Sequence, residues 1–211
     1  MDSLDTWQLI ALASALGLAS GVRLYAVLFV VGAVGALHWA ELPTGLHLLE
    51  HPLVLAASGF MCFVELFADK IPGLDSLWDV VHTFIRIPAG AALAASVFGD
   101  QSGATVLAAA ILGGTLAAGA HFAKSGTRAL INTSPEPFSN WAASLSEDFA
   151  VGALLWVAFA HPLVALIVVA LLVAFLLWLI PRIWRAGRRI IAGVSGSLAR
   201  LRRAGVPRDS H

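Results

Sequence analysis

The chain has 211 residues, of which 59% are hydrophobic and 12% are charged, and its mean hydropathy is +0.85. A soluble domain of this size cannot bury so much apolar surface, which excludes an ordinary water-soluble enzyme or binding module. The formal net charge is zero, but the charges are segregated, because eight arginines lie between Arg182 and Arg208 while twelve of the thirteen acids lie upstream. The composition predicts an all-α fold, a polytopic membrane helix bundle.

About six transmembrane helices are predicted, at roughly 7–37, 53–70, 76–98, 104–131, 137–160 and 162–181. The first span exceeds the ~20 residues that a bilayer needs, so we expect it to be tilted, broken or extended beyond the lipid. Pro52 opens the second span, and Pro88 lies inside the third. Pro162 and Pro181 bracket the sixth, which is therefore expected to end at Pro181.

The first span also contains Gly17 and Gly21, which form a GxxxG pattern. This pattern packs helices closely, either within one chain or between two copies in a homo-oligomer.

The sequence also contains two pairs of similar segments, which an internal duplication would explain. The sequence LASG at 18–21 resembles LAAG at 116–119, and AGAALAASVFG at 89–99 resembles VGALLWVAFAH at 151–161. The two matches have different offsets, so a true duplication and chance similarity are both open. A duplication would be typical of transporters, which place a site between two halves.

The distribution of lysine and arginine predicts the orientation. The connections without either residue are 38–52, 99–103 and 160–162. Lys70, Lys124, Arg128 and the arginines of the tail all fall on the opposite side of a six-span chain. Because lysine and arginine are enriched on the cytoplasmic side, both termini are expected in the cytoplasm.

The chain beyond Pro181 is basic and amphipathic, so we expect a membrane domain over 1–181 and a basic cytoplasmic tail over 182–211. Its apolar residues fall broadly on one helical side: Ile183, Trp184, Ile190, Ile191, Val194, Leu198 and Leu201. Such a segment suits a bilayer surface rich in anionic lipids. Tryptophan and isoleucine among the arginines favour lipid over nucleic acid. The alternative is a positively charged flank followed by a disordered end.

Ionisable residues occur inside the apolar spans and fall on shared helix faces. Asp75, Asp79, His82 and Arg86 form one stripe on the third span. The other spans contribute Arg23 from the first, Glu65 and Asp69 from the second, His121, Lys124 and Arg128 from the fourth, and Asn140, Glu147 and Asp148 from the fifth.

The signs of these charges nearly balance. A charge at bilayer depth costs at least ~2.5–3.5 kcal/mol, so unpaired charges in this number would be intolerable. We therefore expect the thirteen residues to face inward, to pair, and to line a cavity that is open to the cytoplasm. They are the candidate substrate-binding or ion-relay residues. A dedicated metal site is not expected, because Arg86 and Lys124 would compete with a bound cation.

The same residues lie in stretches that resemble a known family. These are SGVRLYAVLFVVGAVG at 20–35, ELFADKIPGLDSLWDVVHTFIRIPAGA at 65–91, HFAKSGTRALINTS at 121–134 and SLSEDFAVG at 144–152. They resemble a bacterial integral-membrane family known as domain of unknown function 4126, over about 7–180. Ile87 before Pro88 departs slightly from the pattern. The resemblance implies a bacterial inner (plasma) membrane protein whose polar residues form the family signature, and it implies no activity, cofactor or ligand.

Three functions are open from the sequence. The first is a transporter of a small solute, ion or lipid headgroup. The second is a membrane scaffold or assembly protein whose salt bridges are structural. The third is an enzyme acting on a lipid-linked substrate, in which His82 or His121 would work with Glu147 or Asp148. No catalytic residue is assigned.

The segment HLLEH at 47–51 matches a zinc-peptidase pattern. It precedes Pro52 in a short connection without a nearby third ligand, so we expect a surface loop there.

Overall fold

A computed structural model describes residues 5–71, 73–133 and 137–204, with the side chains of 137, 190, 191 and 193–204 left aside. The α-helices are α1 (Thr6–Ala36), α2 (Pro52–Ala68), α3 (Leu74–Val97), α4 (Gly103–Ile131), α5 (Pro137–Ala160) and α6 (Pro162–Ala204), and a 3₁₀ helix spans Thr44–Glu50. No strand occurs among these residues, which confirms the predicted all-α class.

Five of the helices, α1, α3, α4, α5 and α6, are long and apolar enough to cross a membrane. Helix α2 has only 17 residues and follows the 3₁₀ helix at an angle of 70°. A sixth crossing therefore exists only if this bent pair counts as one span. Large apolar side chains such as Phe84, 80% exposed, point outward, as expected of a surface in contact with lipid. The polytopic membrane bundle is confirmed.

Helix α1 lies at the centre and contacts every other helix. Small residues allow this close approach, because a Cβ atom added to Gly17 would lie 2.7 Å from the Cα of Gly113 on α4. A Cβ on Gly21 would collide with the backbone of Ala117. The GxxxG pattern thus packs helices within one chain. Because α4 covers both glycines, a homo-oligomer would need another surface, and self-association stays a prediction.

Helix α1 is broken at Arg23, whose φ of −143° and ψ of 74° are not helical. The break, which was one of the three alternatives for this long span, is observed. Arg23 is buried near the middle of α1, and its guanidinium is directed toward groups on α2 and α5.

Helix α6 does not end at Pro181 as predicted but continues to Ala204. Membrane helices tolerate proline where other groups satisfy the backbone carbonyls nearby. Pro181 deprives only the Leu177 carbonyl of its amide donor, so a single backbone hydrogen bond of this 43-residue helix is lost. Trp184 is exposed. The other apolar residues expected on the tail's lipid face, from Ile190 onward, lie outside the described side chains.

The HLLEH segment forms the 3₁₀ helix and not the expected loop, because Leu46 and Leu49 are buried against the bundle. The His47 ring lies 3.0 Å from a Glu50 carboxylate oxygen. The His51 ring accepts a hydrogen bond from the Leu53 amide and so caps the start of α2. Local structure accounts for all three polar residues of the pattern.

Candidate functional site

The first part of the site surrounds Arg86, which is buried on α3. Its guanidinium donates to the Asp79 carboxylate at 2.8 Å, about two turns earlier on the same helix. It also donates to Glu65, which reaches it from α2. The stripe predicted on α3 thus faces inward, and two carboxylates share one cation.

His121 from α4 extends this group. Its Nδ1 atom lies 3.2 Å from the Arg86 guanidinium, and its Nε2 atom lies 2.7 Å from the Thr83 hydroxyl. Because arginine can only donate, Nδ1 must accept and Nε2 must carry the proton. Thr83 then donates to the Asp79 carbonyl at 3.0 Å. The hydrogen bonds therefore hold His121 as the neutral Nε2–H tautomer.

His82 lies on the same stripe and is also engaged at both ring nitrogens. Its Nδ1 atom is 2.8 Å from the Trp78 carbonyl, so Nδ1 carries the proton. Its Nε2 atom accepts from the Tyr25 hydroxyl at 3.1 Å, and its ring stacks on Trp78. This histidine joins α3 to the central helix α1.

The second part of the site surrounds Asp69, at the C-terminal end of α2. Its Oδ2 atom lies 2.9 Å from Arg23 NH1 on α1 and 2.7 Å from Lys124 Nζ on α4. Arg128 NH2, one turn further along α4, is 3.8 Å away. One fully buried carboxylate therefore holds three cations from two other helices.

Helix α5 joins this group through Glu147 and Asp148. Arg128 contacts Glu147 with two nitrogens, at 3.2 Å and 3.0 Å, which is the bidentate geometry of a strong pair. Lys124 lies 3.3 Å from the same carboxylate. Arg23 reaches Asp148 at 3.0 Å and donates to the Ser144 hydroxyl at 2.7 Å.

Lys124 and Asp79, 3.9 Å apart, connect the two parts. The result is one set of paired charges drawn from five helices, which we name the charge network: Arg23, Glu65, Asp69, Asp79, Arg86, Lys124, Arg128, Glu147 and Asp148. Four cations meet five anions. Mutual pairing offsets much of the cost of placing these groups in an apolar interior.

Asp75 and Asn140 join the site through hydrogen bonds of asparagine side chains, and not through ion pairs. Arg128 donates to the Asn140 side chain at 3.2 Å, and Asn140 donates to Asn132 at 2.8 Å. Asn132 in turn donates to Asp75 at 2.8 Å. Sequence reasoning missed Asn132 and Thr83. A polar residue directly after a long apolar helix was the signal that could have pointed to Asn132.

The charged side chains fill the interior themselves. Asp69, Asp75 and Arg128 are at most 1% exposed, so within the described ranges the site is closed where a funnel open to the cytoplasm was expected. Pairing across the bundle axis joins α1, α2, α3, α4 and α5 at this closed interior. Only Glu147, with 17% of its side chain exposed, and Asp148, with 35%, bring charge of the network to the surface.

Three buried carboxylate oxygens have no hydrogen-bond donor within the part of the chain that the structure describes. They are Oε2 of Glu65, Oδ1 of Asp69 and Oδ2 of Asp79. Buried acceptors of this kind are costly when they have no donor, so they mark places where a proton or a small polar ligand would bind favourably.

A family model described as Domain of unknown function (DUF4126) matches residues 10–182. The chain belongs to this family. The match includes most of α1, all of α2 to α5 and every residue of the charge network, so the resemblance seen in the sequence is confirmed. Among curated proteins and among solved structures, no match to the chain is found. The DUF4126 description names no activity, and the site must be interpreted from its own geometry.

Proposed function

We propose that the protein is a transporter of a small solute, an ion or a lipid headgroup, and that the charge network is its coupling or substrate site. The break in α1 carries this proposal. Transporters commonly place discontinuous helices at the centre of the membrane, where freed backbone groups and charged side chains hold the substrate. Arg23 is such a break in the central helix, and its side chain joins α2 and α5.

The pairing of Asp69 supports a site that changes partners. Arg23 and Lys124 lie within 3 Å of its Oδ2 atom, and Arg128 lies 3.8 Å from the same atom. A small helix movement would therefore exchange one of these ion pairs for another. Packed elements with two such arrangements are the usual basis of a two-state transition. The oxygens of Glu65 and Asp79 without a donor support protons as the coupling ion.

The proposed setting is a bacterial inner membrane with both termini in the cytoplasm. The eight arginines from Arg182 to Arg208 support this orientation, and anionic lipids are the proposed partners of that basic tail.

Solid-supported membrane electrophysiology on proteoliposomes tests transport. Concentration jumps of chemically varied solutes should produce a current with the wild type for at least one class. Glu147→Gln should abolish that current while the protein still inserts. Asp100→Asn, in the exposed turn before α4, is the matched control and should leave the current unchanged. A wild type that stays folded and gives no current with any solute would contradict the proposal.

A scaffold is the second candidate, and the near-complete burial of the paired charges favours it. Joint neutralisation of Glu65 and Arg86, whose side chains pair between α2 and α3, separates the two functions, because Asp79 keeps Lys124 as a neighbouring cation at 3.9 Å. If the pair is only structural, the double variant Glu65→Gln with Arg86→Gln should regain part of the thermal stability and of the phenotype lost in each single variant. A transport site should regain stability without function.

The enzyme alternative has less support. Both ring nitrogens of His82 and of His121 are occupied by hydrogen bonds, so neither ring offers a free base to a substrate.

A further inference from the structure

A groove runs between α4 and α6, near the end of both helices that leads to the basic tail. Its volume of about 490 Å³ falls in the range of roughly 300–1,000 Å³ that is usual for small-molecule sites. Most of its wall is apolar and is formed by Phe122, Ala129, Leu130, Ile180, Ile183 and Trp184. We name this feature the α4–α6 groove.

The groove faces the bilayer. Phe122 and Trp184 are 53% and 69% exposed, as expected of large apolar side chains in contact with lipid. The wall formed by α4 extends from Phe122 to Leu130, a rise of about 12 Å. On α6 the apolar stretch passes here into a run of arginines. An occupant therefore comes from the bilayer and lies where hydrocarbon meets the headgroups.

A hydroxyl and a guanidinium also line the groove, and only the guanidinium is free for a ligand. The Ser125 hydroxyl donates to the His121 carbonyl at 3.0 Å. Arg188 is exposed, and its side chain has no hydrogen-bond or ion-pair partner in the part of the chain that the structure describes. By contrast, Arg185 donates to the Pro181 carbonyl at 3.1 Å. The planar donors of an unpaired arginine match a phosphate group.

Two glycines determine where the groove is closed and where it is open. A Cβ atom added to Gly126 would lie 2.6 Å from the side chain of Ile183, so α4 and α6 touch there. A Cβ atom added to Gly187 would have no protein atom within 4 Å. The space beside Arg188 is therefore open.

We propose that the α4–α6 groove binds one anionic phospholipid, whose phosphate pairs with Arg188 and whose acyl chain lies along the apolar wall. A zwitterionic lipid would also bring an ammonium group, and none of the described residues that line the groove is acidic. The proposal goes beyond attraction of the tail to an anionic surface, because it assigns one lipid to one groove. Only the choice of the cytoplasmic leaflet rests on the proposed orientation.

Native mass spectrometry tests the groove. The protein is reconstituted in nanodiscs that contain phosphatidylglycerol and phosphatidylethanolamine in equal amounts with identical acyl chains, and is released with the lipid that it retains. Retention of one phosphatidylglycerol should exceed that of phosphatidylethanolamine by roughly fivefold, the ratio that one arginine near a membrane surface supplies. Equal retention of both lipids, or a second copy of the chain in place of lipid, would overturn the proposal.

Variants of two adjacent arginines separate the groove from attraction by the whole tail. Arg188→Gln should abolish the preference for phosphatidylglycerol, whereas Arg189→Gln, at an exposed position outside the groove, should preserve it. Arg188→Lys should keep part of the preference, since lysine still pairs with phosphate as a point charge. Equal loss in the two glutamine variants would refute the site.

A larger side chain tests the position of the acyl chain. Gly187→Leu should occupy the groove and remove the retained lipid, and it should fold because its Cβ atom meets no protein atom. Gly152→Leu on α5, where a Cβ atom also meets nothing within 4 Å, is the matched control and should retain the lipid. Equal retention by both leucine variants would overturn the proposal. If Gly187→Leu does not fold, the arginine variants decide alone.

Lipid retention requires neither transport nor a particular orientation, so the proposals fail separately. Specific retention without any current in proteoliposomes would support the groove and contradict the transporter. A current without specific retention would overturn the groove and support the transporter.

Discussion

Asp69 shows why a charged residue can persist inside this bundle. Its carboxylate is fully buried, yet Arg23, Lys124 and Arg128 all approach the same oxygen atom. Removing an isolated carboxylate from water would be prohibitive, whereas a carboxylate that holds cations from two other helices is compensated. The same cations would be left without their common partner if Asp69 were neutral, so this residue has the largest predicted effect on stability.

Asp69→Asn should therefore destabilise the protein by about 3–5 kcal/mol, the usual cost of breaking a buried ion pair from one side. The unfolding free energy is measured by SDS titration in mixed micelles. Asp100→Asn serves as the control, because its carboxylate lies in an exposed turn and its loss should change the free energy by less than about 0.5 kcal/mol. Equal stability of the two variants would show that Asp69 is not paired as described.

At the scale of the helices, the close packing of α1 depends on glycines, which have no side chain. Gly17 allows the backbone of α1 to approach Gly113 of α4, and on the same two helices the Lys124 ammonium of the charge network donates to the Val22 carbonyl at 3.1 Å. Helix packing and charge pairing are thus coupled along one helix.

Gly17→Leu should push α1 and α4 apart and destabilise the fold by about 1–3 kcal/mol or more through overpacking. Gly152→Leu on α5 is the matched control, since a side chain there meets nothing within 4 Å. Size-exclusion profiles and melting temperatures in detergent are the measurement. A Gly17→Leu protein that melts with the wild type would contradict the close contact.

The limits of most helices could be predicted from the lengths of the apolar stretches. The 3₁₀ helix and the continuation of α6 beyond its proline could not. Spans one, three, four and five begin and end within two residues of their predicted limits, because apolar stretches bounded by proline, glycine or polar residues determine them. The 3₁₀ helix before α2 was missed because its stability comes from burial of Leu46 and Leu49 against other helices. Helix α6 passes Pro181 because a long membrane helix tolerates the loss of one backbone hydrogen bond, which the proline alone does not reveal in the sequence.

At the scale of the whole molecule, the sequence predicts which residues meet but not how they pair. Helical spacing places Asp79 and Arg86 on one stripe, and the balance of signs requires the stripes to converge. The choice of Glu65 as the second partner of Arg86 depends on how α2 crosses α3, which no local pattern encodes. The burial of the charge network likewise follows only from the way in which the helices assemble. The same is true of the α4–α6 groove.

The proposed orientation, with both termini in the cytoplasm, predicts which turns face each side of the membrane. In a chain with Cys62 replaced by alanine, Gln101→Cys before α4 should react with a membrane-impermeant maleimide in intact cells. Thr133→Cys after α4 should react only in inverted membrane vesicles. Both positions are exposed turns, so accessibility alone does not separate them. The opposite labelling pattern would place the termini outside the cytoplasm.

A double-mutant cycle on Glu65 and Arg86 tests most directly whether charges from different helices pair inside the bundle. Unfolding free energies of Glu65→Gln, Arg86→Gln and the double variant are compared with that of the wild type. We predict that the double variant loses at least about 1 kcal/mol less than the sum of the single losses, since each single change leaves a buried charge behind. Losses that add within about 0.5 kcal/mol would contradict the pairing and, with it, the charge network.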